Sequence, residues 1–172
     1  MAYARPEPLS GNHDLEDFRS GERSLDGWFL RHARTAEATN SARVFVTTEG
    51  GWNVVGFYAL SAGVVEAADA TTRLMKGQPA GRSVPVAILG RLAVDHRHQG
   101  KGVGESLLQD ALLHAATASE SIAIRAVIVH ALNDAVRDWY LRYGFEASPT
   151  DPLHLILLMK DLRKLLDEAE VS

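Results

Sequence analysis

Apolar positions along this chain follow two rhythms, and the switches between them mark out its elements. Leu25, Trp28, Phe29, His32, Ala33 and Ala36 recur on one helical face, which predicts a helix opening after Gly21, with Ser24 as N-cap, and ending near Asn40. Val44–Thr48 and Val54–Val65 are instead rich in β-branched and aromatic residues. Glu49-Gly50-Gly51 between them is a turn signal, so a hairpin is expected, with Gly56 and Gly63 marking bulges or close approach. Val84–Val94 is an apolar run of the kind a buried strand needs, and from Glu105 to Ala118 leucines and alanines return at helical spacing. Ile122–His130 predicts another strand and Asn133–Tyr143 a helix stopped by Gly144. Phe145–Ala147 and Leu153–Met159 read as strands on either side of a turn at Pro149–Pro152, and Asp161–Ala169 as a terminal helix. Met1–Leu9, with Pro6 and Pro8, supplies at most a short edge strand, and Asp14–Phe18 a helical turn. Ala67–Ser83 is a polar, basic loop with a helical turn around Thr72–Lys76, long enough to suggest a functional rim. Strands before and after a central βα unit make a mixed α/β (α+β) architecture.

Composition bounds this picture. A chain of 172 residues with 46% hydrophobic content builds one well-buried core and is short for two independent domains, so a single domain over residues 1–172 is expected. With no cysteine, disulfides, thiol nucleophiles and cysteine metal sites are excluded. Met1–Ser10 lacks the apolar core of a signal peptide, and no apolar run reaches membrane-spanning length; a soluble cytoplasmic protein is the expectation.

The first candidate chemistry lies between the central strand and its helix, at Gln99-Gly100-Lys101-Gly102-Val103-Gly104. A glycine loop opening into a helix can turn backbone N–H groups and the positive end of the helix dipole toward an anion, so this is a phosphate cradle. It is not a Walker A loop, because Gly102 follows Lys101 and Asp95 stands where the first glycine belongs. Nor is it a dinucleotide fingerprint, which would require glycine at Glu105. Gln99-x-x-Gly102-x-Gly104 after a strand ending Arg91-Leu92-Ala93-Val94-Asp95 resembles the acetyl-CoA pyrophosphate loop of the GCN5-related N-acetyltransferases (GNAT). A second motif resembles the same family: Asn133 and Tyr140, two helical turns apart, in a segment ending Tyr143-Gly144-Phe145. Ser24-Leu25-Asp26-Gly27-Trp28, Val55–Leu60, Gly90–Asp95 and Pro149–Leu153 are similar to the acetyltransferase toxins of type II toxin–antitoxin modules, from about Leu9 to Leu162.

The resemblance implies a GNAT fold, a central mixed twisted sheet flanked by helices, with acetyl-CoA as co-substrate and no metal. It implies acetyl transfer to the α-amino group of an aminoacyl-tRNA, which blocks translation. A ribbon-helix-helix antitoxin is the implied partner, and a homodimer is among the implied assemblies. Carried onto this sequence, the backbone of Leu92, Ala93 and Val94 would hold the pantetheine arm and polarise the thioester, Gln99–Gly104 the pyrophosphate, and Asn133 would contact cofactor or cap its helix. Tyr140 would be the general acid for the departing thiolate. No carboxylate falls among Leu92, Ala93 and Val94, so no in-strand general base is evident, and water could take the proton of the weakly basic α-amine. Acetylation of a small amine or a protein N-terminus, and a non-catalytic CoA-binding module, are the alternatives.

Charge bears on the acceptor. The chain carries a formal net charge of −4, yet between Arg73 and Gly104 six basic residues face Asp95 as the single acid. Arg73, Lys76, Arg82 and Arg91 are therefore candidates for a basic rim toward an anionic substrate such as tRNA. His130 as a base and His96 with His98 as a metal pair are disfavoured, because scattered histidines without partners at ligand spacing rarely make a site. Asp95 reads as a loop-fixing residue.

Overall fold

The computed structural model describes residues 3–171, with side chains through 169. Met1 and Ala2, part of the stretch read for a signal core and an edge strand, lie outside the described residues. The elements run β1 (Glu7–Pro8), α1 (Arg23–Ala38), β2 (Arg43–Thr48), β3 (Val54–Val65), α2 (Thr72–Met75), β4 (Val84–Val94), α3 (Val103–Ala118), β5 (Ala126–His130), α4 (Asp134–Leu141), β6 (Glu146–Ala147), β7 (His154–Leu158) and α5 (Met159–Val171). The strands form a mixed sheet in the order β1-β2-β3-β4-β5-β7-β6.

Packing divides the chain into two compact units, one of the described residues through Ser61 with Gly90–Ala111, the other of Ala62–Leu89 with Leu112 onward. In the first, the hairpin β2–β3 pairs antiparallel, Arg43 opposite Leu60 through Thr48 opposite Val54, with an irregularity between Thr47 and Thr48. Its core is aromatic. Phe29 of α1 stacks on Phe57 of β3 with centroids 4.0 Å apart, and Phe18 meets both edge-on. All three are buried, each worth about 1.5–3 kcal/mol of transfer free energy. In the second unit β4 and β5 pair in parallel from Val86 opposite Ala126 to Leu89 opposite Val129, while β7 runs antiparallel to β5 and β6 to β7. Val84, Val86, Ile128 and Ile156 pack there with Leu74 of α2 and Val65 of β3.

Four local expectations need correction. Helix α1 is capped by Glu22, without a side-chain bond, and Ser24 lies inside it. The buried Asp26 explains this: its carboxylate accepts from the Ser20 N–H at 3.0 Å and the Ser20 hydroxyl at 2.6 Å, fixing the chain before the helix. His32 is exposed, because the buried stripe runs through Asp26, Phe29 and Ala33. The turn expected over Asp14–Phe18 narrows to Leu15–Phe18, closed by Phe18 N–H to Leu15 O at 3.1 Å, because the Asp14 backbone bonds to Trp52 and Val54 in an isolated bridge to Asn53. Finally, β5 begins at Ala126, since Ser121 and Ile122 donate to Ala118 O and prolong the end of α3.

Candidate active site

In the first unit, β4 ends at Val94 and the chain turns through His96–His98 into the glycine loop and α3. Asp95 makes that turn. Fully buried, it accepts from the backbone N–H of Arg19 at 3.1 Å and Arg97 at 3.0 Å, and from Arg97 Nε and Nη2 at 2.9 and 3.1 Å. Burial pushes its pKa up, but these donors and the Arg97 charge outweigh it and hold the carboxyl at about 2. Gln99 fastens the loop from its other side, its amide nitrogen donating at 2.9 Å to both Val94 O and Ser20 O.

Gly100 and Gly102 sit at φ of 75° and 83°, the left-handed region that side chains disfavour. A Cβ built on either would meet nothing within 4 Å, so open space lies over the loop. Lys101 between them is exposed, and Val103, the first residue of α3, is buried. The first turn of a helix leaves its N–H groups without intrahelical acceptors. Glycine backbone, an exposed lysine and a sixteen-residue helix opening from the loop suit a pyrophosphate. Ala93 packs into the core, while Leu92 and Val94 are half-buried on the alternate face. Arg91 lies with its guanidinium 4.2 Å from the Trp28 ring centre, and burial lowers its pKa.

In the second unit, Asn133 is the N-cap of α4, its side-chain oxygen accepting from Val136 N–H at 2.9 Å. Tyr140 lies two turns on. Its ring is buried, with Phe145 and Trp139 edge-on at 5.3 and 4.9 Å, and Gly144 at φ 94° closes the helix behind it. The hydroxyl has no hydrogen-bond partner among the described residues, and no unpartnered buried side-chain oxygen occurs among them. The ring is therefore held while the O–H remains accessible. Burial pushes the phenol pKa up, which keeps the proton on oxygen at neutral pH.

The candidate rim is uneven. Arg73 is committed to Glu146 and, at 2.7 Å, to Asp161. Lys76 and Arg82 are exposed. Sequence reasoning also passed over the surroundings of His130, whose Nε2 stands 3.6 Å from Asp151 Oδ2 and whose ring stacks on His154. Burial and the neighbouring His130 lower the His154 pKa. Their separation in sequence hid this cluster. His96 and His98 are each engaged elsewhere, His96 with Arg19 O and His98 with Tyr3 and Glu49.

A model of the acetyltransferase (GNAT) domain matches residues 40–147, the stretch that holds both the glycine loop and α4. The chain belongs to the GNAT acetyltransferase family. This GNAT chain is 46% identical over 166 residues to a tRNA-acetylating toxin of Mycobacterium tuberculosis, covering 96% of the chain and 98% of that relative. Among solved structures it is similar to AtaT complexed with acetyl-methionyl-tRNAfMet, at 26% identity and a TM-score of 0.86, covering 96% of the chain and 99% of AtaT. AtaTR bound with AcCoA aligns at 25% identity and a TM-score of 0.81, over 95% of the chain and 98% of the other. The GNAT fold and the mixed sheet of the first reading thus agree with these findings. Among the described residues, no helix is long and apolar enough to cross a membrane.

Proposed function

We propose that this GNAT chain transfers acetyl from acetyl-CoA to the α-amino group of an aminoacyl-tRNA and so acts as a translation-blocking toxin. The observation that carries this is the 46% identity, over nearly the full length of both chains, to a tRNA-acetylating toxin. The AtaT complexes, one with acetyl-methionyl-tRNAfMet and one with AcCoA, support the acceptor and the co-substrate. The protein works in the cytoplasm, where charged tRNA is found. Residues 1–172 act as one catalytic domain, and a small ribbon-helix-helix antitoxin neutralises it.

The residues divide the work. Backbone N–H groups of Gly100, Lys101, Gly102, Val103 and Gly104, with the Lys101 ammonium, hold the pyrophosphate, while Gln99 keeps the loop in shape. Backbone of Leu92, Ala93 and Val94 lines up the pantetheine arm and orients the thioester carbonyl. Acetyl-CoA supplies an activated acyl group with a thiolate leaving group. Tyr140 donates its proton to that thiolate from a ring that packing has fixed; the accessible hydroxyl then regains a proton from solvent. Asn133 fixes the start of α4 and hence the placement of Tyr140. The α-amine beside an ester is less basic than an alkyl amine, so water suffices to remove its proton. Lys76 and Arg82, with Arg73, are the basic residues the second unit offers to RNA, and Arg91 is the one the first unit offers.

Labelled acetyl-CoA and a pool of charged tRNAs test this directly. Label should appear on the aminoacyl group, and Tyr140→Phe should lower kcat about 10²–10⁴-fold with KM for acetyl-CoA nearly unchanged. No label on any aminoacyl-tRNA, with label on a small amine or a protein N-terminus, would sink the tRNA reading. Full activity in the phenylalanine variant would remove Tyr140 from the acid role.

A further inference from the structure

The second unit contains a cleft of about 550 Å³ whose lining shares Arg73 and Lys76 with the basic rim but includes neither Asn133 nor Tyr140. Among the described residues its lining carries five basic side chains, Arg73, Lys76, Arg125, Lys160 and Arg163, and no acidic one. Arg73 is neutralised by Glu146 and Asp161. The other four have no carboxylate partner among the described residues. Arg125 donates from Nε to Leu74 O at 2.6 Å and from Nη2 to Lys76 O at 2.7 Å, contacts that orient the guanidinium without cancelling it. Arg163 donates to the neutral Ser119 hydroxyl at 2.9 Å. Lys76 and Lys160 are exposed and have no side-chain partner among the described residues. Four like charges on one concave surface repel one another, and a bound anion relieves that repulsion.

The position of the cleft separates it from α4. Arg125 directly precedes β5, and Met159, just past β7, donates its N–H to Arg125 O at 2.8 Å. The cleft thus lies where β5 begins and β7 ends. Asn133 and α4 follow the opposite end of β5, roughly 17 Å of strand away. The volume is that of a small-molecule site, and Pro85 and Ile124 give the lining an apolar strip.

We propose that this cleft is a second anion site, one that takes the phosphates of a nucleotide. Four cations exceed what a single carboxylate needs, and the Arg125 guanidinium, held along its Nε–Nη2 edge by carbonyls, keeps its Nη1 hydrogens for a phosphate oxygen. The apolar strip suits the face of a base or ribose. The nucleotide is either part of an RNA chain or free in solution, and the two sources separate by experiment. Only the assignment of an RNA occupant as substrate rests on the acetyl-transfer reading; binding at the cleft does not.

The full-length protein is first saturated with CoA, so that the glycine loop is occupied, and then titrated with deacylated tRNA and, separately, with ATP. Lys76→Glu/Lys160→Glu should weaken at least one probe about tenfold or more at low salt. For tRNA it should also lower the slope of log affinity against log salt by about 1.5–2. Lys160→Glu alone should weaken the same probe, whereas Lys164→Glu, an equal charge change on α5 outside the cleft lining, should not. Loss confined to tRNA assigns an RNA phosphodiester, and loss of ATP binding assigns a free nucleotide. The proposal is overturned if wild type binds neither probe, if the double variant changes neither, or if Lys164→Glu weakens binding as much as Lys160→Glu. A wild type that binds tRNA through the cleft but acetylates no aminoacyl-tRNA supports the site and overturns the acetyl-transfer reading.

Discussion

Asp95 illustrates how much a single buried carboxylate can organise. It ties Arg19 to the turn before the glycine loop and is itself neutralised by the side chain two residues on. Its pKa, about 2 in the fold against an ordinary 3.8, sets a direction for acid stability. The contribution of the ionised group is fully present above about pH 4 and is lost as pH falls through about 2. Asp95→Asn should lower the urea midpoint at pH 7 and flatten the decline between pH 4 and 2; an unchanged acid limb would remove Asp95 as its source. Arg73 teaches the opposite lesson. Its charge was plain in the sequence, but its partners Glu146 and Asp161 lie 73 and 88 residues away, and no local pattern connects them.

Helix α3 shows how an element can be placed by a residue that has no side chain. A Cβ built on Gly56 of β3 would stand 2.9 Å from Leu107 Cδ1 and 3.2 Å from both Thr47 Cγ2 and Val103 Cγ1. Leu107 can rotate away, but the β-branched Thr47 and Val103 have little freedom. Gly56→Ala should therefore destabilise the protein by about 1–3 kcal/mol, read as a lower urea midpoint. Since Val103 opens the helix from the glycine loop, KM for acetyl-CoA should rise more than kcat falls. A stable variant with wild-type kinetics would show that α3 does not depend on this approach. The Tyr58 hydroxyl, 2.5 Å from Asp110 Oδ2, holds the same helix to β3 further along. The sequence hinted at close approach at Gly56 but could not name the neighbour, because hairpin and helix meet across some fifty residues of chain.

Charge gives the chain as a unit its one global expectation. A net charge of −4 alongside a locally basic stretch means that the RNA of the proposed reaction would be attracted by patches rather than by the overall field. KM for aminoacyl-tRNA should climb steeply between 50 and 200 mM salt, and KM for acetyl-CoA much less, as the first acceptor offers many more phosphates; equal salt slopes would argue for a small acceptor. Element order, the hairpin, the central strand with its glycine loop, and the Asn133–Tyr140 helix were all legible beforehand. Periodicity, turn residues and left-handed glycines act over a few residues, so a linear reading captures them. Helix entry at Glu22 instead of Ser24 and the late start of β5 were not legible, because Asp26 and the end of α3 override local preference there. Further from reach were the pairing that occupies Arg73, the edge-on packing that holds the Tyr140 ring, and the gathering of Lys76, Arg125, Lys160 and Arg163 around one cleft. Local sequence therefore determined most of which elements form and carried the resemblance to a cofactor loop. Long-range packing alone decided which charges are neutralised and which remain free to bind, since that depends on neighbours brought together only by the fold.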